Sequence, residues 1–190
     1  PHLIFPADVS DDSAMTALVE TTLTTFGQID IVVNNAGLHH RGRFDANATM
    51  NLAKMIDVNL RAPLVLMHLA LPHLAKSKGN VVNVASLAGH VPIPESATYS
   101  SSKFGLRALT LALRQEWLEE GVTFSLVSPG PVTTGFIMDN IDNVSDLTFS
   151  QPISTAEEVT DDIIRCLEHG DAEICRPKKS GRLAKVAYFF

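Results

Sequence analysis

Short apolar runs alternate along the chain with longer segments in which apolar residues recur at helical spacing. The short runs predict β-strands, and the longer segments predict amphipathic helices. This alternation is typical of an α/β protein in which helices connect the strands of a parallel sheet. The predicted strands cover residues 2–5 (the end of a strand), 29–33, 81–85, 123–127 and 172–176.

The segments of helical period are bounded by residues that stop or bend helices. Gly27 and Gly121 each follow such a segment, and glycine commonly ends a helix. Within the longest segment, Pro63 predicts a kink and Pro72 predicts the end. The predicted helices cover residues 11–26, 49–75 and 97–119, and a fourth runs from a cap at Ser154 or Thr155 to residue 169.

Residues 131–151 show no clear period, which predicts a mobile loop or short helices. Repeats and low-complexity linkers are absent from the sequence, and a length of 190 residues is in the range of one domain. We therefore expect residues 1–190 to belong to a single domain.

Composition and charge exclude several classes of protein. A net charge of -6 disfavours a nucleic-acid partner, because phosphate binding needs a concentrated positive field. Cys166 and Cys175 have neither metal-site spacing nor disulfide density, so both are predicted to be small buried residues in a reducing compartment. Apolar runs of the roughly 18 residues that span a bilayer are absent, as is a secretory signal pattern. The expected location is the cytoplasm.

Polar residues that can carry chemistry follow several of the predicted strands. Residues 34–37, with the sequence Asn-Asn-Ala-Gly, follow the strand at 29–33, and Ser86 follows the strand at 81–85. Open α/β sheets place their ligands at the carboxyl ends of their strands, so we expect these groups to share one site. The other members are Pro129 and Gly130 after the strand at 123–127, and Tyr99 and Lys103 at the start of the intervening helix.

Tyr99 and Lys103 are four residues apart and therefore share one helix face. A tyrosine has a pKa of about 10, and a nearby cation lowers it, so the lysine would make the phenol a usable general acid and base. Ser86 would supply a hydroxyl that holds a carbonyl or alcohol oxygen beside the tyrosine. Each signal also has a structural explanation when it occurs alone: a surface helix pair, a serine cap or a Pro-Gly turn.

Together and in this order, these residues resemble the short-chain dehydrogenase/reductase family along nearly the whole chain. The resemblance implies a Rossmann-type, doubly wound parallel sheet and an NAD(P)-dependent oxidoreductase, an enzyme that moves a hydride between the nicotinamide and a carbonyl or secondary alcohol. The residues that carry the resemblance are Asp8, Val9, Asn34, Asn35, Ala36, Gly37, Asn59, Ser86, the run 99–103 and the run 129–134.

The resemblance also implies a role for each catalytic residue. Ser86 would orient the substrate oxygen, and Tyr99 would exchange the proton. Lys103 would lower the pKa of the tyrosine and bind the nicotinamide ribose, and Asn59 would hold a water that connects this lysine to solvent. The implied cofactor is NAD or NADP, bound by Asp8 (near the adenine), Val9, Asn35 (near the adenosine ribose), Ala36, Gly37, Tyr99, Lys103, Pro129, Gly130, Val132 and Thr134.

Several of these residues have alternatives that the sequence leaves open. Asn34 is expected to link strands by hydrogen bonds rather than touch a ligand, and Asp8 could cap the following helix, although Asp11 is the better candidate. Loop histidines are most often solvated. Three of them nevertheless lie near the predicted site and could touch substrate: His39, His40 and His90.

The sequence departs from the family because it contains no glycine-rich dinucleotide motif. In the family this motif and the residue that selects NAD or NADP would precede Pro1, within two βα units of roughly 50 to 60 residues. The missing strands would lie beside residues 2–5 and leave residues 29–33 as an open apolar edge. We therefore expect an N-terminally truncated chain that alone is unstable and binds dinucleotide poorly.

The remaining expectations concern partners and rival functions. The substrate is a small carbonyl or alcohol, with an apolar one favoured by Phe136 and its neighbours in the covering loop. The complete protein would be a homodimer or homotetramer, and the basic, then apolar C-terminal tail could touch a membrane, although a packed turn or subunit interface is the better interpretation. The main rival is a truncated, non-catalytic Rossmann fragment or binding scaffold. A hydrolase using Ser86 is disfavoured, because Gly-x-Ser-x-Gly is absent.

Overall fold

The computed structural model describes residues 2–138 and 152–187. Its centre is a parallel sheet of four strands in the order β1-β2-β3-β4. This arrangement confirms the predicted α/β class with a parallel sheet. The strands are β1 (Ile31–Asn34), β2 (Asn80–Val84), β3 (Thr123–Pro129) and β4 (Glu173–Arg176).

The helices precede, connect and follow the strands in sequence, and they pack on both faces of the sheet. Val81 and Phe124 belong to one buried cluster, while Val82 and Val127 belong to another that includes Cys166. Successive strand residues point to opposite faces, so the two clusters lie on opposite sides of the sheet. The helices are α1 (Asp12–Phe26), α2 (Thr49–Ile56), α3 (Ala62–Ser77), α4 (Ala97–Glu116), α5 (Gly135–Met138), α6 (Ala156–His169) and α7 (Lys178–Ala187), with a π turn at Asp57–Arg61.

The helix ends follow the local chemistry of the sequence. The Asp11 side chain accepts hydrogen bonds from two backbone N–H groups in the first turn of α1, which confirms it as the better cap. Gly27 ends that helix with a φ of 84°, a left-handed conformation that favours glycine. At α6, Thr155 rather than Ser154 is the cap, and Glu158 completes a capping box with it.

The two central strands are buried, whereas β1 has an exposed apolar edge. Val81 and Val82 of β2 are 0% exposed, but Ile31 and Val33 of β1 are 50% and 41% exposed. The predicted open apolar edge at this strand is therefore present in the structure.

Two predictions about elements were wrong. Residues 2–5 form no strand, because no neighbouring strand in the described residues offers a hydrogen-bonding partner to this segment. Pro72 does not end its helix, because α3 continues to Ser77. The proline is exposed, so the backbone hydrogen bond that it cannot donate is missing on the solvent side of the helix. The kink predicted at Pro63 lies next to an irregularity that the structure does show, because the π turn at Asp57–Arg61 separates α2 from α3 there.

The remaining predictions concern the end of α4, the loop at 131–151 and membrane-spanning helices. Helix α4 ends at Glu116, and a turn leads from it to Gly121. The predicted mobile loop includes residues 139–151, which lie outside the described residues. Among the residues that are described, none of the helices is both long and apolar enough to cross a membrane.

Candidate active site

A cavity of about 1050 Å³ opens at the carboxyl ends of the strands. Its walls come from the residues that directly follow β1, β2 and β3, and from the start of α4. The sheet thus brings together most of the predicted site residues, as expected for an open α/β sheet. Those that line the cavity are Asn35, Ala36, Gly37, Ser86, Tyr99, Lys103, Pro129, Gly130, Val132 and Thr134.

Tyr99 and Lys103 lie in the first two turns of α4, and both are buried. Ser86 lies opposite them, where its Oγ accepts a hydrogen bond of 3.1 Å from the N–H of Ala88 at the start of a short 3-10 turn. That turn packs tightly on α4, since a Cβ on Gly89 would lie 2.8 Å from the carbonyl oxygen of Lys103. Glycine at this position therefore lets Ser86 approach the tyrosine.

Burial dominates the electrostatics of Tyr99. Loss of water raises the pKa of its phenol, and this effect outweighs a hydrogen bond with Ser86 and the positive charge of Arg41, which both act to lower it. The pKa is thus raised here, not lowered by Lys103 as expected. The phenol is protonated at neutral pH and is ready to donate a proton.

Lys103 is held between the end of β2 and the Asn-Asn-Ala-Gly segment. Its Nζ donates a hydrogen bond of 2.9 Å to the carbonyl oxygen of Val84, and it lies 5.9 Å from the centroid of the Tyr99 ring. A Cβ on Gly37 would lie 3.7 Å from the same Nζ. Burial lowers the pKa of Lys103 to about 8, so the group is still mainly an ammonium at neutral pH.

Asn59 fixes the segment that follows Gly37. The Asn59 side chain, fully buried in the π turn, accepts a hydrogen bond of 2.8 Å from the N–H of Leu38 and donates one of 2.8 Å to its carbonyl oxygen. It also donates to Ser102 Oγ at 3.2 Å, which ties the segment to α4. π turns inside helices are frequent at functional sites, and this one places the Asn59 amide where it hydrogen-bonds both Leu38 and Ser102.

Two predicted cofactor residues, Asp8 and Val9, do not line the cavity. Asp8 instead accepts hydrogen bonds from the N–H and Oγ of Ser10 and pairs with Lys54 Nζ at 2.9 Å. These bonds lower the pKa of its carboxyl group, with the Lys54 bond contributing most. In this structure Asp8 organises the turn before α1, and Asn34 has a structural role as well, because its Nδ2 donates to Asn83 Oδ1 at 2.7 Å in a buried strand-to-strand contact.

His39 is the site residue that the sequence did not single out from its neighbours. Its ring stacks on Tyr99 with centroids 4.0 Å apart and planes 14° apart, and its Nε2 lies 3.0 Å from Ser96 Oγ. Burial, followed by the charges of nearby cations, lowers the pKa of His39 to about 3, so the ring is neutral. Its position two residues after Gly37 was the signal in the sequence. His90 is different: it is buried and bonds Glu173 Oε1 at 2.7 Å.

An aromatic wall closes one side of the cavity. Phe136 has its ring centroid 6.3 Å from those of both Tyr99 and His39. The guanidinium carbon of Arg41 lies 5.9 Å from the same ring. The proton-donating phenol therefore faces a surface that combines aromatic rings with one cation.

Comparison with known proteins identifies the family. The family model described as short chain dehydrogenase matches residues 2–144. The chain therefore belongs to the short chain dehydrogenase family.

Individual relatives agree with this assignment. The chain is 38% identical over 149 residues to an uncharacterized oxidoreductase of Staphylococcus saprophyticus, covering 77% of this chain and 59% of the relative. It is 36% identical over 133 residues to the L-fucose dehydrogenase of Mus musculus, covering 70% of this chain and 49% of the relative. The chain thus spans about half to three fifths of the length of these curated relatives.

A solved structure matches the fold over nearly all of the chain. It is a gluconate 5-dehydrogenase from Burkholderia cenocepacia in complex with NADP and tartrate. The TM-score is 0.82 at 21% identity, with 93% of this chain and 74% of the other covered. This likeness confirms the predicted Rossmann-type α/β fold.

Proposed function

We propose that this chain forms the catalytic part of an NAD(P)-dependent oxidoreductase that interconverts a carbonyl and a secondary alcohol. The observation that carries the proposal is the convergence of Ser86, Tyr99 and Lys103 on one cavity at the strand ends. Packing alone gives no reason to bury a lysine beside an open cavity, because burial disfavours the charged form of the ammonium. The family membership and the oxidoreductase relatives support the same activity.

The residues after β1 fit a nicotinamide cofactor. A side chain at Gly37 would enter the space beside Lys103, where its Cβ would lie 3.4 Å from Asn59 Oδ1. The cavity of about 1050 Å³ is at the upper end of the usual size range for small-molecule sites, which leaves room for a substrate beside the cofactor. Lys103 and the backbone of residues 35–37 would hold the ribose, with Val132 and Thr134 on the nicotinamide side. The bound cofactor, NAD or NADP, supplies or accepts the hydride.

The chain's own residues orient the substrate and handle the proton. In reduction, the Ser86 hydroxyl donates a hydrogen bond to the carbonyl oxygen, and the protonated Tyr99 donates its proton to that oxygen as negative charge develops there. In oxidation the phenol must first lose its proton. Because burial raises the pKa of Tyr99, we expect reduction to proceed at neutral pH and oxidation to speed up as the pH rises.

Lys103 and Asn59 support the reaction by positioning Tyr99 and residues 35–38, the segment after β1. The ammonium of Lys103 lies next to the phenol and to Gly37, so it can stabilise a phenolate and hold the ribose hydroxyls. Pro63 has no N–H for the Asn59 carbonyl four residues earlier, which leaves that carbonyl without its usual α-helical donor. This supports the expectation that Asn59 holds a water leading from Lys103 to solvent.

A conservative substitution tests the proposal. Tyr99→Phe removes only the hydroxyl, so turnover should fall by about 10²- to 10⁴-fold while the circular dichroism spectrum stays unchanged. Turnover is followed through nicotinamide absorbance with a panel of small ketones and aldehydes. Ser101→Ala is the matched control, because Ser101 is an exposed serine of the same helix whose Oγ bonds the Ala97 carbonyl. Equal turnover in Tyr99→Phe and wild type would exclude this mechanism and favour the non-catalytic scaffold.

A further inference from the structure

Among the residues that the structure describes, none offers an anionic partner to one guanidinium group in the cavity. Arg41 lines the cavity at intermediate burial. Across residues 2–138 and 152–187, no carboxylate oxygen lies within 4.0 Å of its guanidinium and its side chain donates no hydrogen bond. Each other arginine whose side chain is described bonds a carboxylate or a backbone carbonyl: Arg43, Arg61, Arg107, Arg114, Arg165 and Arg176.

The position of Arg41 relates it directly to the reacting atoms. Its guanidinium carbon is 5.9 Å from the Phe136 ring, which in turn is 6.3 Å from Tyr99. Arg41 is close enough to Tyr99 for its charge to lower the pKa of the phenol. A substrate whose oxygen lies between Ser86 and Tyr99 can therefore extend along Phe136 to this cation.

The other charges of the cavity do not replace Arg41. Lys103 is bound to the Val84 carbonyl on the cofactor side, and His39 is neutral because its pKa is about 3. Glu95 also lines the cavity, but it is exposed and more than 4.0 Å from the guanidinium. A partly desolvated cation beside an apolar ring is stabilised when an anion binds it.

We propose that Arg41 binds a carboxylate of the substrate, so that this site selects oxo acids and hydroxy acids over neutral carbonyl compounds and alcohols. This inference rests on the proposed function. The planar guanidinium offers two parallel N–H donors, which match the two oxygens of a carboxylate.

A matched pair of ligands tests the inference by calorimetry without any turnover. The acid 4-oxopentanoate and its amide have the same ketone and differ only in the anionic group. The wild-type protein should bind the acid about tenfold or more tightly than the amide, the size of one charge-assisted hydrogen-bond pair. Arg41→Gln should abolish this preference without weakening amide binding. Arg43→Gln should retain it, because Arg43 is an exposed arginine of the same loop that pairs with Asp45.

The alternative outcomes overturn the inference without touching the proposed function. If the wild type binds acid and amide alike, or binds neither, the carboxylate site does not exist. If Arg41→Gln weakens NADPH binding and leaves acid binding unchanged, the guanidinium belongs to a cofactor phosphate. Turnover of the neutral amide by Arg41→Gln would show that hydride transfer is intact, whereas failure of the proposed function would abolish turnover of both ligands in the wild type.

Discussion

The two sides of the candidate site differ in how firmly the described residues hold them. On the β2 and α4 side, Tyr99, Lys103 and Asn59 are all buried, and Asn59 connects α4 to the segment after β1 through three hydrogen bonds. On the β1 side, Val33 is 41% exposed, and residues 2–5 form no strand. The candidate catalytic groups thus depend on the central strands, whereas the edge strand contributes the polar residues at its end and little packing on its outer surface.

The stability of the site therefore originates mainly on the β2 and α4 side. Buried polar groups are held in place only if their hydrogen bonds are made, and the catalytic side meets that condition through contacts among β2, β4, α4 and the π turn. The β1 side exposes apolar groups, which contribute little to the free energy of unfolding because little of their surface is buried. Variants on the two sides should therefore behave differently.

The largest effect is expected from the buried ammonium. Lys103→Met should lower turnover by about 10²- to 10⁴-fold. It should also raise the free energy of unfolding by about 2 kcal/mol at neutral pH, because burial of the charge lowers the pKa of Lys103 from 10.5 to about 8 and the lost bond to Val84 offsets part of the gain.

The pH dependence of that gain has a defined sign. Between about pH 8 and 10.5 the folded lysine is deprotonated and the unfolded one is not, so wild-type stability rises with pH and the advantage of Lys103→Met shrinks. Urea unfolding at neutral and alkaline pH measures this. Lys76→Met, at an exposed lysine of α3, is the control and should show neither effect. A Lys103→Met variant less stable than wild type at neutral pH would contradict the prediction.

The next effect concerns the carboxylate that joins β4 to α4. Glu173 accepts hydrogen bonds from His90, Arg107 and Ser128. Burial alone would raise the pKa of Glu173, but the bonds from His90 and Arg107 bring it down to about 2. Glu173→Gln leaves Arg107 without its buried partner charge and should lower the free energy of unfolding by about 3 kcal/mol.

The contribution of Glu173 also has a pH signature. Because its pKa is lower in the folded state, this stability is fully present above about pH 4.5 and is lost as the pH falls toward 2. Chemical unfolding across this range should show a steeper acid loss in the wild type than in Glu173→Gln. Glu168→Gln, at an exposed glutamate, should follow the wild type. Parallel acid profiles for Glu173→Gln and wild type would show that the charge does not matter.

A smaller effect is expected from the clamp on Leu38. Asn59→Ala removes both hydrogen bonds to that residue and should lower the free energy of unfolding by about 2 kcal/mol. Hydrogen exchange of the Leu38 amide should quicken in the same variant. Asn51→Ala, at an exposed asparagine of α2, is the control. An unchanged exchange rate at Leu38 would mean that other contacts fix this segment.

The smallest effect is expected at the sheet edge. Val33→Thr should change the free energy of unfolding by less than about 0.5 kcal/mol, because the side chain is partly exposed. Val82→Thr introduces a hydroxyl where the side chain is 0% exposed and should lower it by about 2 kcal/mol. Thermal unfolding of the pair measures the contrast. Equal losses would show that the β1 edge is as well covered as the central strand.

The sequence predicted the elements whose signals are local. Strands β2 and β3 are short and mainly apolar runs, and Thr155 with Glu158 forms a cap that needs no distant residue. The strand predicted at residues 2–5 was wrong because its signal is not only local. The apolar pattern is that of a strand, but a strand also requires a neighbouring strand to pair with. The prediction that α3 ends at Pro72 was wrong because a helix tolerates the loss of one backbone hydrogen bond on its solvent side.

For the site, the sequence placed Ser86, Tyr99 and Lys103 together, because parallel strands end at one edge of the sheet. It could not rank His39 above His40 and His90, since loop conformation decides which ring stacks on Tyr99. It also gave no signal that Arg41 faces the cavity while Arg43, two residues away, pairs with Asp45.

Local pattern and residue order predicted the α/β class, the parallel sheet and the candidate catalytic residues, because strand periodicity and the Tyr-x-x-x-Lys spacing are properties of neighbouring residues. The pKa values of these residues, in contrast, depend on the tertiary structure. Burial raises the pKa of Tyr99 and lowers that of Lys103, and burial depends on distant segments packing together. The same packing places Arg41 at the cavity, because a cavity is lined by residues that are far apart in the chain.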